Sequence, residues 1–375
     1  MSYRFLISCE NSLHLLQFDP DRMVLQQFWG IQVEVGAAAI GFEGSILVST
    51  RKEVEAFDPA LNPISAPVKA PFAAGVLARD RLYLATDGAL ACFDPTWQEL
   101  GRVTLVRGRK DAHDLVRVGN RIFALDNVIL PVYVAVVDIT READLKVVAV
   151  GSVQGVNPHL DAQFIDQATG LWGVLMSIVH SEGRGQVLHV LEAESATPAG
   201  EPVHLCSRSH LGFPRSKVGD HSPLDGDPHI LWPGLQDASQ GPPGIEIQMV
   251  SASLPTWVIG SQLMKATSKE RYAVYRLSVR HGRVVLEHFA PLWENEEQRK
   301  FAMWGDDSWL FIVSKSEDRA DGGEEEEIRL TVVDPTDRMI IWDAPLPVQI
   351  RDAGRLKSVL PWPDPHEGAF SPAVF

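Results

Sequence analysis

Apolar and polar positions along this 375-residue chain do not follow a helical period. They gather in short runs of β-branched and aromatic residues: "RFLISCE", "SILVST", "RLYLATDG", "RIFALD", "LWGVLMSI", "TWVIGSQL" and "WLFIVSKS". Runs of this length suit strands and are too short for stable helices. Each is followed by a second apolar run, and most of these end in an acidic residue. The instances are "LHLLQFDP" at Asp19, "VEAFDP" at Asp58, "ALACFDP" at Asp94, "VYVAVVDIT" at Asp138, "VLHVLEAES" at Glu192, "YAVYRLSV" around Ser278 and "IRLTVVDPT" at Asp334.

The motif recurs seven times, at roughly the 40 to 50 residues that one four-stranded unit of a circular repeat occupies. A third run follows in several units, as in "MVLQQFW", "LKVVAV", "RVVLEHFA" and "MIIWDAPL". A strand precedes the others in "GAAAIGF", "AGVLAR", "DLVRVG", "DAQFID" and "KFAMWGD". The chain opens directly on the second strand of its first unit, so the missing innermost strand is expected from the apolar "LKSVLP" near the other end. Such closure removes exposed sheet edges.

Over nearly its whole length the chain thus resembles the β-propeller superfamily. The resemblance implies an all-β fold: a seven-bladed β-propeller of four-stranded antiparallel blades, one domain over residues 1–375. The first blade is closed by a C-terminal strand, and a long insertion at about 206–244 separates blades five and six. Subfamily marks are sparse. WD-repeat blades carry Gly-His and Trp-Asp, whereas this chain has no Gly-His and one Trp-Asp, Trp342 with Asp343. The only glycine pair of the kelch kind is Gly322 with Gly323, and the quinoprotein-type pattern is approached only by Asp166, Thr169, Gly170 and Trp172 and by Asp334 with Trp342.

The recurrent acidic residues read as turn formers. Asp can accept hydrogen bonds from the backbone ahead and Pro presets φ, so Asp19, Asp58, Asp94 and Asp334 are expected to close tight turns. His14, His189 and His288 fall inside strands and are expected to pack, as are Trp97, Trp309 and Trp342.

Composition narrows the function classes. Net charge is −15 with 22% charged residues, which opposes binding to nucleic acid or to an anionic membrane surface. No apolar run approaches the roughly 18 residues of a membrane helix, and the first residues lack a signal-peptide core. Cys9, Cys92 and Cys206 form no close pair, so neither a disulfide framework nor a zinc knuckle is implied, and a cytoplasmic location is expected. The chain has no Gly-x-Ser-x-Gly elbow, phosphate-binding loop or dinucleotide fingerprint, which argues against hydrolase and nucleotide-dependent readings.

In a propeller the turns after the first and third strands of each blade open on one face, and those after the second and fourth on the other. The first set is short throughout. In the second set the turns lengthen from the fourth blade onward: "DNVILP", "HSEGRG", "MKATSKER", the acidic loop through Glu324–Glu327, and the insertion itself. Polar strand entries open on that same face. The candidate binding residues are therefore Asp111, His113 and Asp114, then Asp126 and Asn127, then Asn157, His159 and Asp161. His180, Asp227, His229 and Trp232 complete the set.

With no catalytic signature, the pattern points to a non-catalytic scaffold or protein-interaction module. It would bind a protein partner through the long-loop face of blades four to seven, without a cofactor. Two alternatives remain open: a metal-dependent enzyme with His113, His159 and His229 as ligands at the channel mouth, and a small-molecule or glycan binder using aromatics such as Trp232.

Overall fold

The computed structural model describes all residues except 1, 51, 79, 106–111, 127–131, 154–155, 166–171, 180–185, 193–202, 207–245, 251–255, 265–268, 281–282, 296–298, 306–307, 317–327, 347–355, 362–372 and 375. Among the described residues the strands, numbered along the chain, form seven antiparallel sheets.

Blade one combines β28 (Leu356–Pro361) with β1 (Tyr3–Cys9), β2 (Ser12–Asp19) and β3 (Val24–Gln32), and a short β29 (Ala373–Val374) lies on the free side of β28. Blade two is β4 (Ala37–Ile40), β5 (Ile46–Ser49), β6 (Val54–Phe57) and β7 (Pro63–Ile64). Blade three is β8 (Ala74–Ala78), β9 (Arg81–Thr86), β10 (Ala89–Phe93) and β11 (Glu99–Thr104). Blade four is β12 (Ala112–Val118), β13 (Arg121–Asp126), β14 (Val132–Asp138) and β15 (Lys146–Val153). Blade five is β16 (Val156–Ile165), β17 (Trp172–Val179), β18 (Gln186–Glu192) and β19 (Val203–Cys206). Blade six is β20 (Glu246–Val250), β21 (Thr256–Met264), β22 (Lys269–Arg280) and β23 (Arg283–Asn295). Blade seven is β24 (Arg299–Gly305), β25 (Leu310–Ser316), β26 (Ile328–Asp334) and β27 (Met339–Pro345).

The first strand of each blade touches the first strand of the next, in the cycle β28, β4, β8, β12, β16, β20, β24 and back to β28. This is a β-propeller. The expected closure is present: β1 pairs with β28 through Leu6↔Leu360, Ile7↔Val359 and Ser8↔Ser358. The strands not read from sequence are the short outer strands β7, β11 and β19, the inner strand β20, and β29.

The cores lie between blades, because each twisted sheet buries both faces against its neighbours. One cluster joins Tyr83, Leu90 and Cys92 of blade three to Leu115, Ile122 and Ala135 of blade four. Another fills the closing seam, joining Phe5, Ile7 and Phe18 of blade one to Trp304, Phe311 and Leu330 of blade seven. Rings in that seam pack closely at an angle, with centroids of Phe5 and Phe311 4.6 Å apart and those of Phe18 and Trp342 5.4 Å apart. Trp97 packs edge-on against Phe42, and Trp309 joins the closing seam.

Strands crowd toward the axis, so inner strands carry small residues such as Ala37 to Ala39 and Ala74. Gly75 shows the tightness, since a Cβ there would lie 2.8 Å from that of Ala39 on the next inner strand.

The acidic residues behave as turn formers. Asp94 accepts hydrogen bonds from the backbone N–H of Thr96 and of Gln98, and from the Thr96 hydroxyl. Asp19, Asp58 and Asp334 each accept two backbone N–H bonds in the same way. The carboxyl of Asp138 is held down to about 2, first by its bond to the Thr140 side chain, with Arg121 adding its charge.

Candidate functional site

The face carrying the turns after second strands differs between the two halves of the ring. In blade one the ladder β1–β2 closes at Cys9↔Ser12. In blade two the turn after β5 is held by Thr50, whose hydroxyl accepts from the N–H groups of Lys52 and Glu53. In blade three the ladder β9–β10 ends at Thr86↔Ala89 across Asp87 and Gly88, both at positive φ (50° and 71°). That is the two-residue hairpin whose twist matches its strands.

Blade six is built otherwise. Its ladder β21–β22 runs for nine residue pairs, from Thr256↔Leu277 to Met264↔Lys269, against five in the corresponding ladder of blade three. Its inner end is anchored by Trp257, Tyr272 and Tyr275, all buried. The outer strand β23 follows to Asn295, opposite Glu270. Exposed Arg271 lies on the side of the anchor nearer Lys269, where the ladder ends.

A second difference lies in the inner strands. The ladders β4–β5, β8–β9 and β24–β25 keep unbroken register. Four others are bulged. On β12, His113 is the extra residue between Ala112↔Asp126 and Asp114↔Leu125. On β16 the register slips twice, at Asn157 and Pro158 between Val156↔Val179 and His159↔Ser177, and at Asp161 between Leu160↔Met176 and Ala162↔Leu175. On β20 the extra residue is Gln248, and on β28 it is Lys357.

Inner strands run the same way around the ring, so their starting halves lie at one mouth of the channel. The bulges at His113, at Asn157 and Pro158, and at Lys357 fall at these starts, and those at Asp161 and Gln248 fall at mid-strand. Apart from β28, which also pairs with β29, these inner strands have a partner on one side only among the described residues, and an inserted residue there disrupts a single ladder. Bulges gather in such edge positions and beside functional sites, where they re-aim side chains.

The backbone thus places six of the residues singled out from sequence. His113 and Asp114 stand at the start of β12, and Asp126 stands opposite Ala112 at the end of β13. Asn157, His159 and Asp161 lie on β16, the inner strand next to β12. Asn157, His159 and Asp161 stand two apart in the sequence, and two bulges interrupt the pleat on either side of His159 and Leu160. Asp111, Asn127, His180, Asp227, His229 and Trp232 lie outside the described residues, as do most of the 206–244 insertion and the acidic run of blade seven. Sequence reasoning missed Gln248 and Lys357. Each is a single polar residue inside an apolar run, "EIQMV" and "LKSVLP", and there it looks like ordinary strand alternation.

Among the described residues no group of three or more His, Cys, Asp and Glu side chains is arranged to hold a metal ion. The buried titratable groups that are described belong to the scaffold. His14 has 1% exposure in β2, stacks on Phe28 and lies 2.9 Å from the Ser12 hydroxyl through Nε2. Burial lowers its pKa to about 4. Burial likewise raises the Cys92 thiol to about 11 and the Tyr275 phenol to about 12.

No family model matches the chain, and no curated protein does. Solved structures with similar backbones are at low identity. Apo AztD from Citrobacter koseri is 11% identical, with 98% of each chain covered and a TM-score of 0.41. Hsv2p from Kluyveromyces lactis is 9% identical, with 92% of this chain and 96% of that one covered and a TM-score of 0.44. The C-terminal WD40 domain of Sif2 is 10% identical, with 98% and 91% covered and a TM-score of 0.45. The fold follows from the chain's own ring of sheets, and functional argument has to rest on its own residues.

Proposed function

We propose that this chain is a non-catalytic β-propeller scaffold that binds a protein partner through the face on which the turns of blades four to seven open. The observation that carries this reading is the asymmetry of that face. Blades one to three close it with tight, self-stapled turns. Blade six extends a nine-pair hairpin toward it, and bulges interrupt the starts of the inner strands of blades four and five there, as one does in blade one.

Extended hairpins on a rigid frame are a common way to present recognition residues, since the frame bears the cost of ordering them. Lys269 and Arg271 lie on β22 of the hairpin of blade six, with Glu270 between them and Glu294 opposite Arg271, and Lys265 stands four residues before Lys269 in the sequence. A cluster of both signs favours a partner of complementary charge pattern at this point. No cofactor is proposed, and a cytoplasmic location is part of the same reading. Among the described residues no helix is long and apolar enough to cross a membrane.

The test is a comparison of tagged wild-type protein with the triple variant K265E/K269E/R271E in affinity purification from native lysate. Loss of a specific partner from the variant is expected. Retention of every specific partner by the variant would place recognition elsewhere.

A further inference from the structure

The channel holds a strand that the four-stranded repeat does not call for. β29 pairs with β28 through Ser358↔Val374 and Val359↔Ala373, so blade one has five strands with β29 innermost. β28 already pairs on its outer side with β1, and its remaining edge faces the axis. β29 also touches β12, the inner strand of blade four. Blade four is not a neighbour of blade one, so this contact reaches across the channel.

The pairing is antiparallel. β29 therefore runs against β28, toward the mouth at which inner strands begin. This is the mouth marked by the bulges at His113, at Asn157 and Pro158, and at Lys357. Two features of the sequence suit a short, separable strand. Pro372 precedes Ala373 and has no N–H to donate, so the ladder cannot extend backward through it. Only two residue pairs hold β29, whereas five hold β28 to β1. Among the described residues the other inner strands pair with no strand on the channel side, and such an edge is a template for an extended peptide.

We propose that the channel-facing edge of β28 is a strand-accepting site whose resident occupant is the chain's own Ala373–Val374 segment, held as an exchangeable plug. The segment occupies the channel in the closed form and leaves the edge of β28 open when displaced. The claim is independent of the partner reading, because its readout needs no partner.

The experiment is hydrogen exchange, read by mass spectrometry on the fragment spanning Leu356–Pro361, in the full chain and in the variants V374P and A373P/V374P. Successive N–H groups of a strand point to opposite edges, so one of the Ser358 and Val359 amides faces β29. Its exchange is expected to accelerate roughly tenfold or more in the variants, as for a locally opened bond, with the fragment covering Leu6–Leu15 unchanged. A synthetic peptide of residues 366–375, added in excess to the double variant, should restore slow exchange, and a scrambled peptide should not. Wild-type exchange in both variants, or failure of the peptide to restore protection, overturns the proposal.

Discussion

The hydroxyl of Ser8 lies 2.6 Å from that of Ser358, and both side chains are buried although 350 positions separate them. They meet because they are register partners across the β1–β28 ladder. The pair joins the N-terminal three strands of blade one to β28, and so closes the ring.

Replacing one hydroxyl strands the other in an apolar seam. S358A is therefore expected to destabilise the fold by about 1–3 kcal/mol, and S8A/S358A by less than twice that, since no orphaned group remains. Urea unfolding of the two variants checks this. Equal, additive losses would show that the hydroxyls do not act as a pair.

Phe311 holds the same closure from the other side. Its ring lies 5.0 Å from Tyr3, 4.6 Å from Phe5, 6.0 Å from Phe18 and 5.8 Å from Trp304. Truncation empties the centre of the blade one to blade seven seam, and F311A should cost about 3–5 kcal/mol. Chemical denaturation gives the number, and F311L should recover most of it.

His14 makes stability depend on pH. Its Nδ1 is buried without a hydrogen-bond partner, and burial lowers its pKa from 6.5 to about 4. The unfolded chain takes up a proton at this position as pH falls below about 6.5, while the folded chain resists until about 4. The contribution is thus fully present above pH 6.5 and is lost progressively down to pH 4, by about 3 kcal/mol in all. Melting curves of wild type and H14F across this range isolate it: the variant should show the shallower decline. Parallel curves would mean that His14 protonates in place.

Gly101 sits where the outer strand of blade three meets the turn after β14. A Cβ there would clash with the carbonyl oxygen of Glu142, whose carboxylate lies 2.7 Å from Nε of Arg81 across the same junction. G101A must push the two blades apart and should lose about 1–3 kcal/mol. R81A removes only a partly exposed ion pair and should lose about 1 kcal/mol or less. Thermal melts of the two variants rank the effects.

The sequence exposes its fold through local signals. "LHLLQFDP", "ALACFDP" and "IRLTVVDPT" each couple a strand to an Asp-led turn, and in the structure Asp19, Asp94 and Asp334 bond to the N–H groups just ahead of them. "LKSVLP" was legible as the closing strand because the first unit lacked an inner one. The candidate site was legible only in part. Loop length singled out the face of blades four to seven, whose loops lie largely outside the described residues, and nothing in "EIQMV" or "LKSVLP" signals that Gln248 and Lys357 are bulged. A bulge is a property of two strands in register, so it has no signature in either strand alone.

The amino-acid order by itself determined the strand repeat, the turn chemistry and the closure between distant ends of the chain, because period-two burial and Asx turns act over a few residues. Tertiary structure decided the rest. It buried His14 beneath Phe28, brought Ser8 to Ser358, set the bulges at one channel mouth, and laid Ala373–Val374 along the open edge of β28. These depend on which strands become neighbours after the ring closes, and burial, register and edge pairing exist only once they have.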